Sequence, residues 1–473
     1  MASEAWTASK SPSLQLPSPM PIVSPLNGSD SQTCTEKRVV HSSSFAYQPL
    51  ADTGLASISS FAGDVLQETT ARRLFHHYGQ TIAASMVWVD GPENQWRTTM
   101  MSMALQSTPL LLSILAFAAE HLSSATLSSC AALKKDLTMR AKNYGDSALS
   151  LLTSDMRSAA IMSESLIATE GGLIPHNEVA NSVLASMLIL CNMETVRPDS
   201  RLWRVHLDAA RTVANLQTHT AGSSKDETFK FLAEQLFIFD VFACTTSFVK
   251  IDDHELLAED NNSIFTEFLR LIKWVTWLER QAADGRLPIP GGRVSSSSLR
   301  GKFEKARERT LASCSRTTFT TPAEREQFLG VVESFHHAGL LYSYRCLLIP
   351  DSEGAIQQSR SALFQNLDLV QSDHPAFAQN VVWPLFIAGT EAQSEDGTRI
   401  IVEQKLKRAM KRTGFSNCEV ALQFLRTLWI ARDEGHSLNS GQDSTGNAGA
   451  GRDINWIQCA RHWTSCGKQF LVY

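Results

Sequence analysis

The sequence predicts an all-α fold, a large multi-helix domain over 65–473 preceded by a disordered N-terminal arm over 1–64. Three observations lead to it. From about residue 65 onward the apolar positions recur three and four residues apart, the spacing that lines one face of a helix. Capping residues and prolines stand where those periods begin. Alternating apolar and polar runs bounded by turn dipeptides, the mark of half-buried strands, are missing.

The arm comes first. Its stretch SPSLQLPSPMPIVSP (11–25) carries three Ser-Pro dipeptides and too few apolar residues for a packed element. Ser-Pro accepts proline-directed phosphorylation, yet it is common in any disordered arm. Only Lys10, Lys37 and Arg38 are basic there, so the arm is a poor binder of phosphates.

Helices then follow in order. Thr108 caps, and Pro109 opens, a helix over 108–122. Three- and four-residue periods give a second over 133–152 and a third, apolar all round and therefore central, over 177–194. A helix over 199–216 opens on capping residues and aligns Leu202, His206, Ala209, Val213 and Leu216 on one face. Further helices are expected at 225–247, 296–313, 322–348, 355–370, 376–392, 398–412, 416–434 and 452–467. Turn-rich loops are expected at 285–298 and 438–453. No repeat of fixed period occurs.

Composition narrows the function classes. A chain of 473 residues with 43% hydrophobic content can bury a sizeable core, and a net charge of −5 argues against an overall nucleic-acid footprint. The N-terminus lacks an apolar signal region, and the run Pro109–Ala119 is too short to span a bilayer, so no membrane partner is expected. Nine scattered cysteines without a CxxC pair read as reduced thiols of a cytosolic or nuclear protein.

Several motifs imitate catalytic or metal sites. IDDHE (251–255) and EDNNSIFTE (259–267) are nearly adjacent, whereas magnesium chemistry needs carboxylates from opposite walls of a cavity. They read as an acidic solvated loop, a composition that also suits a short acidic-hydrophobic activation segment. CARHWTSC aligns Cys459, His462 and Cys466, but zinc wants a fourth ligand and core packing explains the stripe. Neither His-His pair, at 76–77 and 336–337, sits in HExxH, and GNAGAG (446–451) follows no strand. KLKRAMKR (405–412) could import the chain or meet phosphates, yet its charges suit the C-terminus of a helix ended by Gly414. No catalytic residue, metal ligand, DNA-binding residue or cofactor is assigned, and an enzyme is not expected.

Two further features carry structure. Asp240 lies in the apolar run FLAEQLFIFDVFACTTSF (231–248) and needs a partner, for which Arg204 and His206 are the candidates. VVWPLFIAGTEA (381–392) reads as core helix, with Phe377, Val381, Leu385, Ala388 and Ala392 on one buried face. Pro384 starts or kinks it, Gly389 admits a neighbouring helix, and Glu391 needs solvent or a cation. Trp383 and Phe386 are the candidates for the wall of a ligand pocket.

Taken together, these segments resemble the fungal-specific transcription factor domain, the regulatory half of fungal zinc binuclear-cluster activators. The segment 77–124 resembles its opening; LLTSDMRSAA, 183–213 with Trp203, Arg204 and His206, and 237–247 with Asp240 resemble its central block. GLLYSYRCLL (339–348), VVWPLFIAGTEA and 412–435 resemble its close. The resemblance implies an all-α regulatory domain, nuclear residence and control of transcription, often of metabolic or secondary-metabolite genes. Some members sense apolar ligands such as sterols within the helical domain.

Full members also carry an N-terminal six-cysteine zinc cluster, whereas residues 1–129 here hold only Cys34. Direct zinc-dependent DNA contact is therefore not carried over. The chain works through the transcription machinery or a DNA-binding partner, or an upstream exon encodes the cluster, or the domain has been repurposed. The leading expectation is a nuclear, non-enzymatic regulator, as a homo- or heterodimer, with an apolar small-molecule effector. An apolar-ligand or scaffold protein outside transcription comes second, and a helical enzyme on an apolar metabolite third.

Overall fold

The computed structural model describes residues 59–166, 176–198, 200–220, 226–248, 264–286, 294–314, 319, 321–371, 374, 376–434 and 454–472. The Ser/Pro-rich run, the acidic stretch up to residue 263, GNAGAG and the loop at 438–453 lie outside these residues, apart from the edges of the loop segments.

Among the described residues every regular element is a helix. In chain order they are α1 (Ser60–Gln67), α2 (Thr69–His77), a π-helical turn (Tyr78–Ile82), α3 (Ala83–Ser85), α4 (Gln95–Ala104) and α5 (Thr108–Ala125). After a 3₁₀ turn (Ser128–Cys130) come α6 (Ala131–Leu166), α7 (His176–Thr195), α8 (Leu202–Thr220) and α9 (Glu227–Thr246). The second half comprises α10 (Thr266–Ala283), α11 (Ser296–Cys314), α12 (Pro322–Leu347), α13 (Glu353–Leu369), α14 (Val382–Thr390), α15 (Thr398–Thr413), α16 (Cys418–Asp433) and α17 (Trp456–Ser465).

Two helices organise each half. In the first, α5 packs on α2, α4, α6 and α7, and α7 in turn on α8 and α9. In the second, α12 packs on α10, α11, α13 and α14, and α14 on α15 and α16. One continuous apolar core runs through both. Polar stitches close the seam: Ser416 N and Asn417 N both donate to Thr195 O at 2.9 Å, and Thr246 Oγ1 donates to Phe470 O at 2.7 Å. His121 on α5 reaches Thr413 O at 2.7 Å. By length and composition α5 is long and apolar enough to cross a membrane, but 72% of it is buried inside the protein.

The structure departs from the expected elements in instructive places. The first helix starts at Ser60, inside the end of the expected arm, because Ser59 accepts from Ala62 N and ends the N-terminus. At α5 the cap is Ser107, one residue before the expected Thr108. The helix expected at 133–152 runs on to Leu166. Thr266–Ala283, absent from the expected helices, has no side-chain cap to announce it, and its first residue follows an acidic stretch. On α8 the buried residues include Trp203, His206, Leu207, Ala210, Val213 and Ala214, so His206 and Val213 of the expected face are buried while its ends, Leu202 and Leu216, are exposed.

Candidate ligand pocket

A cavity of about 420 Å³ opens between the Met86–Asn94 loop and helices α9, α12 and α14. The sequence of that loop, MVWVDGPEN, explains its shape. Pro92 and Glu93 form a turn closed by Asn94 N donating to Gly91 O at 3.2 Å, and Asn94 caps α4 by accepting from Trp96 N at 3.0 Å. The Asn94 amide donates to Ala83 O at 2.9 Å and to Asp90 Oδ1 at 2.8 Å. Arg97 clasps the same loop: it pairs with Asp90 at 3.0 Å and donates to Gly91 O at 3.1 Å and Gly79 O at 2.8 Å. Gly79 sits in the π turn, where an added Cβ would meet Met101 Sδ at 2.7 Å. The loop is thereby held as a fixed wall by side chains of its own neighbourhood.

The floor is aromatic. Trp88 lies against Phe265 with ring centroids 4.3 Å apart and edge-on to Phe335 at 5.5 Å. Phe335 stacks on Trp383 at 5.6 Å, and Phe242 approaches Trp383 at 6.1 Å. Such offset and edge contacts keep each ring fixed by the next. Asn380 ties the loop to the segment before α14 by donating to Trp88 O at 2.8 Å.

Two polar groups on the lining have no hydrogen-bond partner among the described residues. Trp383 is only 1% exposed, and its indole N–H finds no acceptor among the described residues. Gln235 on α9 is 8% exposed and its amide makes no hydrogen bond with a described residue. An unmet buried donor costs about 1–3 kcal/mol, so a ligand oxygen at the Trp383 N–H would recover that energy. The charged residues of the lining are Asp90, Glu93 and Glu234, without a lysine, arginine or histidine.

Of the two expected wall residues, the structure places one at the cavity. Trp383 lines it, but Phe386 does not. Phe386 packs against Trp456 and Phe470, both at 5.5 Å, and Phe424 at 6.1 Å. Three residues turn a helix by about 300°, and α14 is enclosed on every side, so Phe386 faces α16 and α17 instead. For the same reason the expected single buried face is a wholly buried helix. Pro384 stands in its first turn, where a missing N–H leaves no bond broken. At Gly389 a Cβ would come within 2.6 Å of Leu425 Cδ1, and Gly389 O accepts from Trp429 Nε1 at 2.9 Å. Glu391 meets Arg345 in a two-pronged pair at 2.9 and 2.7 Å.

Asp240 is buried on α9, and its partner corrects the expectation. Arg211 of α8 binds it, with Nε at 2.9 Å, and Lys273 of α10 lies 3.5 Å away. Arg204 instead reaches Gln469 and lies 5.8 Å over Trp203, and burial lowers the His206 pKa to about 4. The antiparallel run of α8 against α9 brings Arg211, two turns past Arg204, to the level of Asp240. Missed altogether by sequence reasoning were Trp88 and Gln235; the rigid WVDGPEN turn was the available signal for the first.

The CARHWTSC and KLKRAMKR segments, read from the sequence as core packing and as a helix C-terminus, lie as follows. Cys459 turns into the core while Cys466 is exposed, and no group of three metal-binding side chains forms among the described residues. KLKRAMKR is the C-terminal half of α15, closed by Gly414 at φ +77°. That glycine has a second reason: a Cβ would come within 2.7 Å of His121 Nε2. Since Thr413 O only accepts, His121 donates through Nε2, and His77 Nε2–H donates to His121 Nδ1 at 3.0 Å.

Comparison with known families gives one match: the family described as the fungal specific transcription factor domain covers residues 73–472. No curated protein and no solved structure matches the chain.

Proposed function

The chain belongs to the fungal-specific transcription factor domain family, and from that premise we propose a nuclear regulator switched by a neutral, largely apolar small molecule bound beside Trp383. The observation that carries the proposal is the pairing of an aromatic cavity with the buried Trp383 indole N–H, which has no acceptor among the described residues, and with the Gln235 amide on the same lining. Apolar walls supply affinity by burying surface, and a few polar groups fix orientation. The volume of about 420 Å³ falls within the range of small-molecule sites. The lining holds three carboxylates, of which Asp90 is paired with Arg97, and no lysine, arginine or histidine, so nothing in it attracts a fatty acid or a phosphate, and a neutral ligand with a hydroxyl or carbonyl is the best fit.

On this reading the domain controls metabolic or secondary-metabolite genes without chemistry of its own, through a DNA-binding partner or a dimer. Ligand binding favours the conformation in which α9, α12, α14 and the 86–94 loop close around it, and the regulator responds by population shift.

Intrinsic tryptophan fluorescence tests the site, with a neutral sterol and a long-chain fatty acid as probes. The sterol should titrate saturably, the fatty acid at least tenfold more weakly, and Ile238→Trp, which fills the cavity, should abolish the response. Equal binding of the two probes would contradict the neutral-ligand reading. A response that survives Ile238→Trp would contradict the site.

A further inference from the structure

A second concavity lies in the first half of the domain. Helix α7 forms the bottom of an open trough, and α6 and α8 form its sides. Along α6 the lining runs from Ala131 to Leu149, about 27 Å at 1.5 Å per residue, the length of a helix of about 18 residues. The trough encloses about 1150 Å³. Met187, Leu190 and Met193 floor it, and Met139, Leu202 and Val205 rise at its edges with half or more of their surface exposed. Four large apolar side chains, Met139, Leu149, Leu202 and Val205, exposed around one trough are unusual for a face meant only for water.

Its charge is one-sided. Every acid of the lining is paired: Glu120 and Glu194 with Arg197 at 2.8 and 3.1 Å, and Asp146 with Lys142 at 2.7 Å. Lys134 and Lys135 have no ion pair among the described residues. They also stand near the start of α6, whose first turn holds no acid. Cations are disfavoured at a helix N-terminus, since both contribute positive potential there. Local stability therefore does not account for these lysines, while an acidic partner would.

We propose that this trough docks an amphipathic helix of a partner protein, its apolar face on the exposed Met139, Leu149, Leu202 and Val205 above the buried floor and its acidic flank against Lys134 and Lys135. The recognition is helix-in-groove, with the lysines setting the direction in which the helix lies. The site is separate from the cavity beside Trp383, so the two readings fail independently.

Fluorescence anisotropy of the full chain tests it, using a labelled 16-residue amphipathic peptide with leucines at i, i+3, i+4 and i+7 and glutamates on one flank. A second peptide carries lysines in place of the glutamates. The acidic peptide should bind at least tenfold more tightly than the basic one and weaken as salt rises. Lys134→Glu with Lys135→Glu should reverse that preference, and Val205→Asp should weaken the acidic peptide at least tenfold. All three positions are exposed, and an unchanged thermal midpoint establishes that the variants fold. Equal affinity for both peptides, or no effect of Val205→Asp, would overturn the proposal. So would a dimer, seen by light scattering, that Val205→Asp dissociates without any peptide binding, since a second copy would then be the occupant.

Discussion

At the scale of single residues, burial governs the titrating groups. The imidazoles of His77, His206 and His337 are lowered from the ordinary 6.5 to about 4, in each case chiefly by burial, and the His121 imidazole moves the same way. His77 gains a further push from His121, and His121 a partial offset from its bond to Thr413. The unfolded chain takes up protons at about pH 6.5, while the folded chain resists until about pH 4. Stability is thus full above pH 6.5 and falls as the pH drops toward 4, by at most about 1.4 kcal/mol per pH unit for each histidine. Thermal midpoints should decrease steadily between pH 7 and pH 5. A midpoint that holds constant over that interval would mean these rings are solvated.

At the scale of helices, the three-way seam of α8, α9 and α10 centres on Asp240. Asp240→Asn should cost about 1–3 kcal/mol, because it weakens charge-assisted bonds to Arg211 and leaves a poorer acceptor in the core. A double-mutant cycle identifies the partner. Asp240→Asn with Arg211→Gln should lose clearly less stability than the two changes summed, while Asp240→Asn with Arg204→Gln should be additive. Additivity in the first pair, measured by urea denaturation, would remove Arg211 from the seam.

The same seam marks what a sequence can reveal. The need of Asp240 for a cation was readable from the apolar run around it, but the choice among Arg204, His206 and Arg211 depends on how two helices slide past one another. Helices with strong apolar periods or caps, such as α5, α7 and α16, were legible, with ends shifted by a few residues. α10 was not, for it lacks a side-chain cap. At the candidate pocket Trp383 was legible because it sits in a conspicuous apolar run. Gln235 was not: a single glutamine on a mostly apolar helix acquires meaning only when its amide is seen without a partner.

At the scale of the whole molecule, α9 is the common element. Its Phe231, Gln235, Ile238 and Phe242 line the cavity, while Asp240 grips α8, whose Leu202 and Val205 edge the trough. A ligand that repositions α9 would therefore act on α8 through a buried charge pair, a physical route from small molecule to partner surface. Membership in a transcription factor family makes gene expression the natural readout of that route. The central claim, that this domain regulates transcription through the Trp383 cavity, is tested most directly by transcript profiling of three strains: wild type, deletion, and Ile238→Trp. The account predicts a defined gene set altered by deletion, and the same set uncoupled from its inducing condition in the Ile238→Trp strain. A deletion that changes no transcripts, or an Ile238→Trp profile identical to wild type, would contradict it.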